Sequence, residues 1–543
     1  MLASNILKYG VPKAWDGVTF IDSDRGARDN DDLVMVSHPW MQYYATAASF
    51  LVFGENTFSA RLPFALAGWL TILLVYSLVW RITSNRWAAF CAAALMVLSV
   101  QFLLYSRQCR NYSLNMFFTC WLFWIFFQMR SVRDSVLFAV AAILLFHTHP
   151  IGLAVIGVLG ILTLIYRPFA AQRRWFWLAA PAILVLTLPW LALARAGYSE
   201  NTQRISSIAE FLERFTQYLI ECASVTPLIG TIVLLGICLM RSRDRSDGKR
   251  GGNKAASASG ILGKNETALI VTIFATLFCY ALAMALTEST RDLWYLGIRY
   301  TPAMIPLVAM MVGILIVKVA HARVVMWLPL LVFFGFTKLA LVTPWFFLEE
   351  KAAIEAQPIP IKPIGLHVPS EVVDRFFGAG QLTFLRDLGQ RNPGTLGQAC
   401  EFLQKNAKSG DVLLANYGWE PLYFYTHLPQ SLKILSGYPI YNAARRKGLP
   451  EYVFAVDHPR WVVWRFAWDG YLGYYPLTVE EQILAQGGKL TPVATLKETR
   501  WENRENIHFR RFSGERYLFP WSKQYGPAYI FRVDWREESK TGP

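Results

Sequence analysis

The stretch LPFALAGWLTILLVYSLVW, residues 62–80, runs nineteen residues without a charge. A helix needs about 20 such residues to cross the hydrocarbon of a bilayer, so this run reads as a membrane span. Further apolar runs follow at about 87–104, 112–128, 134–147, 151–166, 175–195, 223–240, 267–286, 301–318 and 324–346. The expectation is a polytopic α-helical membrane protein of about ten spans. Composition agrees. Charged residues are 17% of the 543, well under the roughly 25% of soluble domains, yet mean hydropathy is only +0.30. An apolar part diluted by a soluble part accounts for both numbers.

The short runs 134–147 and 151–166 meet at His147-Thr148-His149-Pro150 and read as a tight hairpin of two spans. Arginines flank the pair on both sides, Arg130 and Arg133 before it and Arg167, Arg173 and Arg174 after it. Basic residues concentrate in cytoplasmic loops, so both flanks read as inside. Carried along the chain, this rule gives inside loops sixteen basic residues and outside loops seven. Seven of the sixteen lie in the Gly/Ser/basic stretch 241–264, read as a mobile cytoplasmic loop. The formal charge of +15 is thus explained by topology, and no nucleic-acid partner is expected. Seven scattered cysteines without a CxxC pair read as packing residues.

This orientation puts both ends of the chain outside the cytoplasm. Residues 1–61 hold no span that would translocate them, so the expectation is that a leading helix is missing and that Met1 is an internal methionine. The division expected is a membrane domain over 1–347 with an outer loop at 13–37, a Pro-rich extended connector over 348–393, and a C-terminal soluble α/β domain over 394–543. In the last, TLGQACEFLQKNA and VEEQILAQGG read as helices, and SGDVLLANY, RWVVWRFAW and AYIFRVDW as strands. It contains no HExxH, GxSxG or Gly-rich phosphate loop, and reads as a lid or acceptor-docking module.

Polar groups held where a membrane makes them costly mark function. The acidic segment FIDSDRGARDNDDLVMVSHPWMQYY, residues 20–44, offers carboxylates at Asp29, Asp31 and Asp32 for a general base or a divalent ion. The competing reading is a solvated loop. Tyr105–Tyr112, YSRQCRNY, places Arg107 and Arg110 on the outer side, against the positive-inside bias. Guanidinium forks match phosphate oxygens, although arginines also snorkel to ordinary headgroups. Arg61 and Arg299 each begin a span at the same outer mouth. His147 and His149 form an HxH pair that could ligate zinc or could simply bond backbone carbonyls.

HPWMQYYATAASFLVFGENTFSARLPFALAGWLTILLVYSLVWRI, residues 38–82, resembles the segment after the first helix in the GT-C membrane glycosyltransferases. The nearest are the family-39-like members, related to protein O-mannosyltransferases and to the lipid A aminoarabinose transferase. The resemblance is carried by His38-Pro39, Tyr43-Tyr44, Phe53-Gly54 and Arg61-Leu62-Pro63. SRQCRNYSL, residues 106–114, is similar to the family's Ser-Arg-x-x-Arg-x-Tyr stretch, which includes Tyr112, and IRYTPAMIPL, residues 298–307, to its Arg-Tyr helix start. Together these cover about 1–320.

The resemblance implies a GT-C-like bundle that transfers a glycosyl group, hexosyl or pentosyl, from a polyprenyl-phosphate-linked sugar. The acceptor, a protein, lipid or envelope glycan on the outer face of the cytoplasmic membrane, attacks the anomeric carbon. A carboxylate base and cations for the departing phosphate are then needed. Arg107 and Arg110 are the leading phosphate ligands, with Arg61, Arg299, Tyr112 and His38 behind them. The family aspartate is expected upstream of Met1, because Leu2–Pro12 resembles the stretch that follows it; Asp29, Asp31 and Asp32 are the substitutes within the chain. No cofactor is certain, and a divalent ion (Mg, Mn or Zn) is left open. Two alternatives remain: a transporter or flippase of lipid-linked sugars, and an inactive envelope scaffold.

Overall fold

The structure is a computed structural model that describes residues 1–17, 32–36, 38–198, 207–247, 262–287, 301–320, 324–336, 358–361, 366–369, 394–415, 419–429, 458–465, 476–497 and 528–535. Two short helices come first, α1 (Leu2–Tyr9) and α2 (Met41–Phe53). The bundle follows as α3 (Thr57–Thr83), α4 (Arg86–Leu98), α5 (Val100–Ser106), α6 (Tyr112–Phe126), α7 (Val132–Thr148), α8 (Gly152–Ile165), α9 (Ala170–Tyr198), α10 (Ile208–Val225), α11 (Leu228–Asp247), α12 (Lys264–Thr287), α13 (Met304–Val319) and α14 (Val324–Phe336).

Helices form at each of the ten apolar runs. Their lengths correct the expectation of about ten full spans. Among the described residues three helices are long and apolar enough to cross a membrane unaided: α3, α9 with the turn before it, and α12. The run 87–104 is not one span but two helices, α4 and α5, bent by 67°. Ser99 makes the break, since its Oγ accepts the Phe102 amide at 3.2 Å and caps α5 rather than letting α4 continue. Five other apolar helices are 10–17 residues long. The run 134–166 is divided at 149–151 into the separate helices α7 and α8, with His149 at the C-terminal cap of the first.

The centre of the bundle is α13, in which every residue from Met304 to Val317 is buried. A helix apolar on all sides belongs in the interior. It packs hard on α4, because Gly313 lets the backbone of Ala92 come within 2.6 Å of where a Cβ would stand. α3 and α6 are tied by the Trp124 indole donating to Ser77 Oγ at 3.1 Å, and α7 and α9 by Ser135 Oγ donating to the Trp175 carbonyl at 2.7 Å. Leu66, Trp69, Leu70 and Leu73 on α3 and Leu184, Val185, Leu186 and Leu188 on α9 are apolar and largely exposed, as lipid-facing surfaces are. Asn56 caps α3 by a reciprocal pair with Ser59, its Oδ1 accepting the Ser59 amide at 3.0 Å.

Helix α10 has no counterpart in the apolar-run reading, because it is amphipathic. It turns Arg214 and Tyr218 inward, and Arg214 pairs with Glu210 one turn away. The stretch 241–264 begins as the last seven residues of α11, and 248–261 lie outside the described residues. The Pro-rich connector is not simply extended: its described residues pair as an antiparallel hairpin of β1 (Pro358–Ile361) and β2 (Leu366–Pro369).

Towards the C-terminus the chain forms α15 (Thr395–Asn406), β3 (Leu413–Ala415), α16 (Trp419–Thr426), β4 (Trp461–Arg465), α17 (Pro476–Ala485), β5 (Gly488–Leu496) and β6 (Ala528–Trp535). The sheet runs β3-β4-β6-β5, parallel only between β3 and β4. Val463 and Ile530 bury one face and Val462 and Val533 the other. The two helices and three strands read from sequence are there; α16 and β5 are additional.

Candidate functional site

One end of the bundle gathers α1, α2, the start of α3, the α5–α6 loop and α16. Glycine creates the seat for the loop. At Gly68 a Cβ would stand 2.5 Å from Ser106 Oγ, so only a bare backbone admits the end of α5. Arg61 lies seven residues before Gly68, two turns along the same face of α3. The loop that leaves Ser106 therefore carries Arg107, Cys109 and Arg110 past the side of α3 that presents Arg61.

Cys109 is where these groups meet. Thr46 Oγ1 on α2 lies 3.4 Å from its sulfur. Crowding by protein atoms pushes the thiol pKa up, while the Thr46 hydroxyl and the charges of Arg61 and Arg110 work the other way. Two guanidinium groups from different elements thus act on one point. Arg110 Nη1 also donates to Tyr112 Oη at 3.4 Å, and the Tyr112 ring packs edge-on against Tyr105 with centroids 4.9 Å apart. That contact holds the arginine beside the loop. Arg61, Arg107 and Arg110 are all exposed, and Tyr112 is buried.

Two carboxylates lie near the start of α1. Asp16, Glu55 and Cys109 all bear electrostatically on the amino group of Met1, at the start of α1. Glu55 sits in the α2–α3 turn and accepts Ser4 Oγ at 2.8 Å. Asp16 Oδ2 accepts the Tyr423 hydroxyl at 2.5 Å, and Tyr425 Oη accepts Thr57 Oγ1 at 3.0 Å. Between these two tyrosines Phe424 packs with Ala3, Ile6, Ala47 and Phe50. Helix α16 therefore docks directly on α1, α2 and the start of α3.

The residues singled out in the sequence divide as follows. Arg61 and Arg110 both bear electrostatically on Cys109, and Arg107 and Tyr112 lie in or beside the same loop. His38 is half-buried just before α2, next to the segment where Trp40 Nε1 donates to the Met35 carbonyl at 2.6 Å. Asp32 is described and exposed, whereas Asp29, Asp31 and Arg299 lie outside the described residues. The zinc reading of the histidines is not supported by their contacts. His147 Nε2 is 3.1 Å from the Leu186 carbonyl, and His149 Nδ1 accepts the Ile151 amide at 3.3 Å. Among the described residues no three His, Cys, Asp or Glu side chains gather as a metal site would require.

The sequence reading missed Asp16, Glu55, Thr46 and Tyr423, and it counted Cys109 as packing. Cys109 is exposed, unlike Cys91, Cys120, Cys222, Cys238 and Cys400. The signal for it was local: it lies between two arginines in a polar loop. For Asp16 there was none, because its partner is 407 residues away.

Residues 37–193 match the family model described as dolichyl-phosphate-mannose-protein mannosyltransferase. Arg61, Arg107, Cys109 and Arg110 fall inside the match; Asp16 and Tyr423 fall outside it. Among solved structures, the apo crystal structure of ArnT from Cupriavidus metallidurans is similar at 13% identity, covering 92% of this chain and 90% of that one, with a TM-score of 0.48. The same protein bound to undecaprenyl phosphate is similar at 12% identity, covering 100% and 93%, with a TM-score of 0.49. No curated protein sequence matches the chain. The family match falls on the segment that carried the sequence resemblance, so residues 37–193 are similar to a membrane glycosyltransferase domain of that family.

Proposed function

We propose that the protein transfers a glycosyl group from a polyprenyl-phosphate-linked donor to an acceptor on the outer face of the cytoplasmic membrane. The observation that carries this reading is that the loop bearing Arg107 and Arg110, seated against α3 at Gly68 and reached by Thr46 of α2, lies with Arg61 in the segment that matches the family model. Cations from two elements, at the end of an apolar bundle, suit a phosphate that travels on a lipid. The positive-inside count supports the outer placement of that end. In the reaction the acceptor hydroxyl bonds to the anomeric carbon as the bond to the lipid phosphate breaks. The arginines stabilise the charge that collects on the departing oxygen.

The 67° break between α4 and α5 is a feature that a carrier of lipid-linked sugars would also have. It stands at Ser99, beside apolar residues and a few residues from the arginine loop, and serves to deliver that loop. The enzyme reading is therefore retained.

The test is binding of polyprenyl phosphate to the full chain in proteoliposomes. Hydrogen bonds to charged groups contribute about 1.5–3 kcal/mol, so Arg110→Ala and Arg61→Ala are each expected to weaken binding roughly ten-fold or more. Unchanged affinity in both variants would overturn the reading.

A further inference from the structure

Helix α16 belongs to two surfaces at once. Towards the C-terminal sheet it is built in. Leu422 is fully buried in the cluster that holds Leu396, Leu403 and Leu428, and Gln404 Nε2 on α15 donates to the Tyr425 carbonyl at 2.9 Å. Towards the bundle it offers the next three residues, Tyr423, Phe424 and Tyr425. Among the described residues this second attachment is slight. It consists of the half-buried Phe424 ring, the Tyr423 bond to Asp16 and the exposed contact of Tyr425 with Thr57. Contacts of this size open locally while the cores on either side stay closed. When α16 parts from one of its two neighbours, the bundle is the one it leaves.

The seat on the bundle is unequal in firmness. The loop that carries Asp16 is pinned by α1 alone. Buried Asn5 donates through Nδ2 to the Lys13 carbonyl at 2.7 Å and to the Trp15 carbonyl at 3.3 Å, and Lys8 Nζ donates to the Asp16 carbonyl at 2.7 Å. Helix α2 is placed differently. Its Ala47 and Phe50 share with Ala3 and Ile6 of α1 the cluster against which Phe424 packs. The preceding residue, Thr46, lies 3.4 Å from Cys109 in the arginine loop. Successive residues of a helix point about 100° apart, so α16 and the arginine loop bear on adjoining flanks of one short helix. The far side of α2 carries no such support, since Leu51 is 76% exposed.

We infer that α16 is a detachable clasp. Docked, it holds α2 against the arginine loop. Undocked, it leaves with the C-terminal part of the chain, frees the Ala47 flank of α2 and loosens the loop that bears Arg107, Cys109 and Arg110. The C-terminal part therefore sets how firmly one end of the bundle is ordered, whatever the protein transfers.

Native cysteines read this directly. The full chain in proteoliposomes is treated with N-ethylmaleimide for timed intervals, and each cysteine is followed by mass spectrometry. Cys109 reports on the loop, buried Cys120 on the bundle and buried Cys400 on the C-terminal part. Phe424→Ala is expected to label Cys109 about ten-fold faster, equivalent to about 1.4 kcal/mol of docking free energy, with Cys120 and Cys400 protected as in wild type. Tyr425→Phe loses one hydrogen bond and should label Cys109 about three-fold faster. Leu51→Ala changes α2 on its exposed side and should leave the Cys109 rate unchanged. A wild-type rate at Cys109 in Phe424→Ala would overturn the clasp. So would equal acceleration in Leu51→Ala, because α2 itself would then be the weak element. Should Phe424→Ala also uncover Cys120 or Cys400, Tyr425→Phe decides, and an unchanged Cys109 rate there would overturn the inference.

Discussion

The hydroxyl of Thr46 lies 3.4 Å from the sulfur of Cys109, joining α2 to the arginine loop. Crowding of the thiol by neighbouring protein atoms outweighs this contact and the two arginines, and its pKa stands above the ordinary thiol value. Thiolate is the reactive species, so at neutral pH this exposed cysteine should react slowly with maleimide. Arg110→Ala removes a charge that favours thiolate, and the rate is expected to fall further. Polyprenyl phosphate, by neutralising the arginines and covering the loop, should slow labelling in wild type and much less in Arg110→Ala. Mass spectrometry of the labelled peptide reads all three rates. Faster labelling in Arg110→Ala would contradict the electrostatic account.

Docking of α16 has a pH signature of its own. Burial first, then the hydrogen bond and charge of Asp16, then the charge of Glu55, push the Tyr423 phenol up from its ordinary value of about 10. A group whose pKa is raised in the folded state stabilises it fully below the unfolded value and loses that contribution as pH climbs past it. The seat of α16 should therefore loosen from about pH 10 upward. Limited proteolysis between the bundle and the C-terminal part is expected to accelerate in that window. Tyr423→Phe has no phenol to ionise and should show a flatter alkaline response. Equal acceleration in the two proteins would show that other groups control the docking.

Glycine positions in the bundle make a paired test of packing. At Gly313 a new Cβ meets the backbone of Ala92 at 2.6–2.8 Å, which no side-chain rotation relieves; at Gly236 on α11 nothing lies within 4 Å. Overpacking a close contact costs about 1–3 kcal/mol. In a helix interior, replacing glycine by alanine alone contributes up to about 1 kcal/mol of stabilisation. Gly313→Ala should lower the melting temperature in detergent, and Gly236→Ala should leave it unchanged or raise it slightly. Equal behaviour would mean that α13 and α4 are not in close contact.

The bundle was legible in the sequence because its signal is continuous: each apolar run became a helix. What length alone could not show was the break at Ser99, which depends on one hydroxyl capping the next helix. Amphipathic α10 escaped for the opposite reason, since its polar face keeps the local hydropathy low. At the site, the order of Arg61, Arg107 and Arg110 was readable as pattern. Asp16 was not, because a carboxylate gains meaning from its partner, and Tyr423 is distant in the chain. Of the two readings that spacing left open for His147 and His149, the contacts to main-chain groups are the one the described residues display.

The far end of the bundle offers a test independent of any substrate. Glu266, near the start of α12, accepts the Gly263 amide at 2.7 Å and pairs with Lys318 at the end of α13 at 2.7 Å. The carboxylate side chain is 6% exposed and the lysine 28%. One acid therefore caps α12 and clamps it to the central helix. Removing one partner of a buried pair costs about 3–5 kcal/mol, and the partly exposed lysine reduces this to about 1–2 kcal/mol. Glu266→Gln keeps an acceptor for the amide and loses the charge, whereas Glu266→Ala loses both. Melting temperatures should fall in the order wild type, Glu266→Gln, Glu266→Ala. In a Lys318→Met background the step from Glu to Gln should shrink, which isolates the pair from the cap. An unchanged step in that background would show that the cap alone stabilises this end.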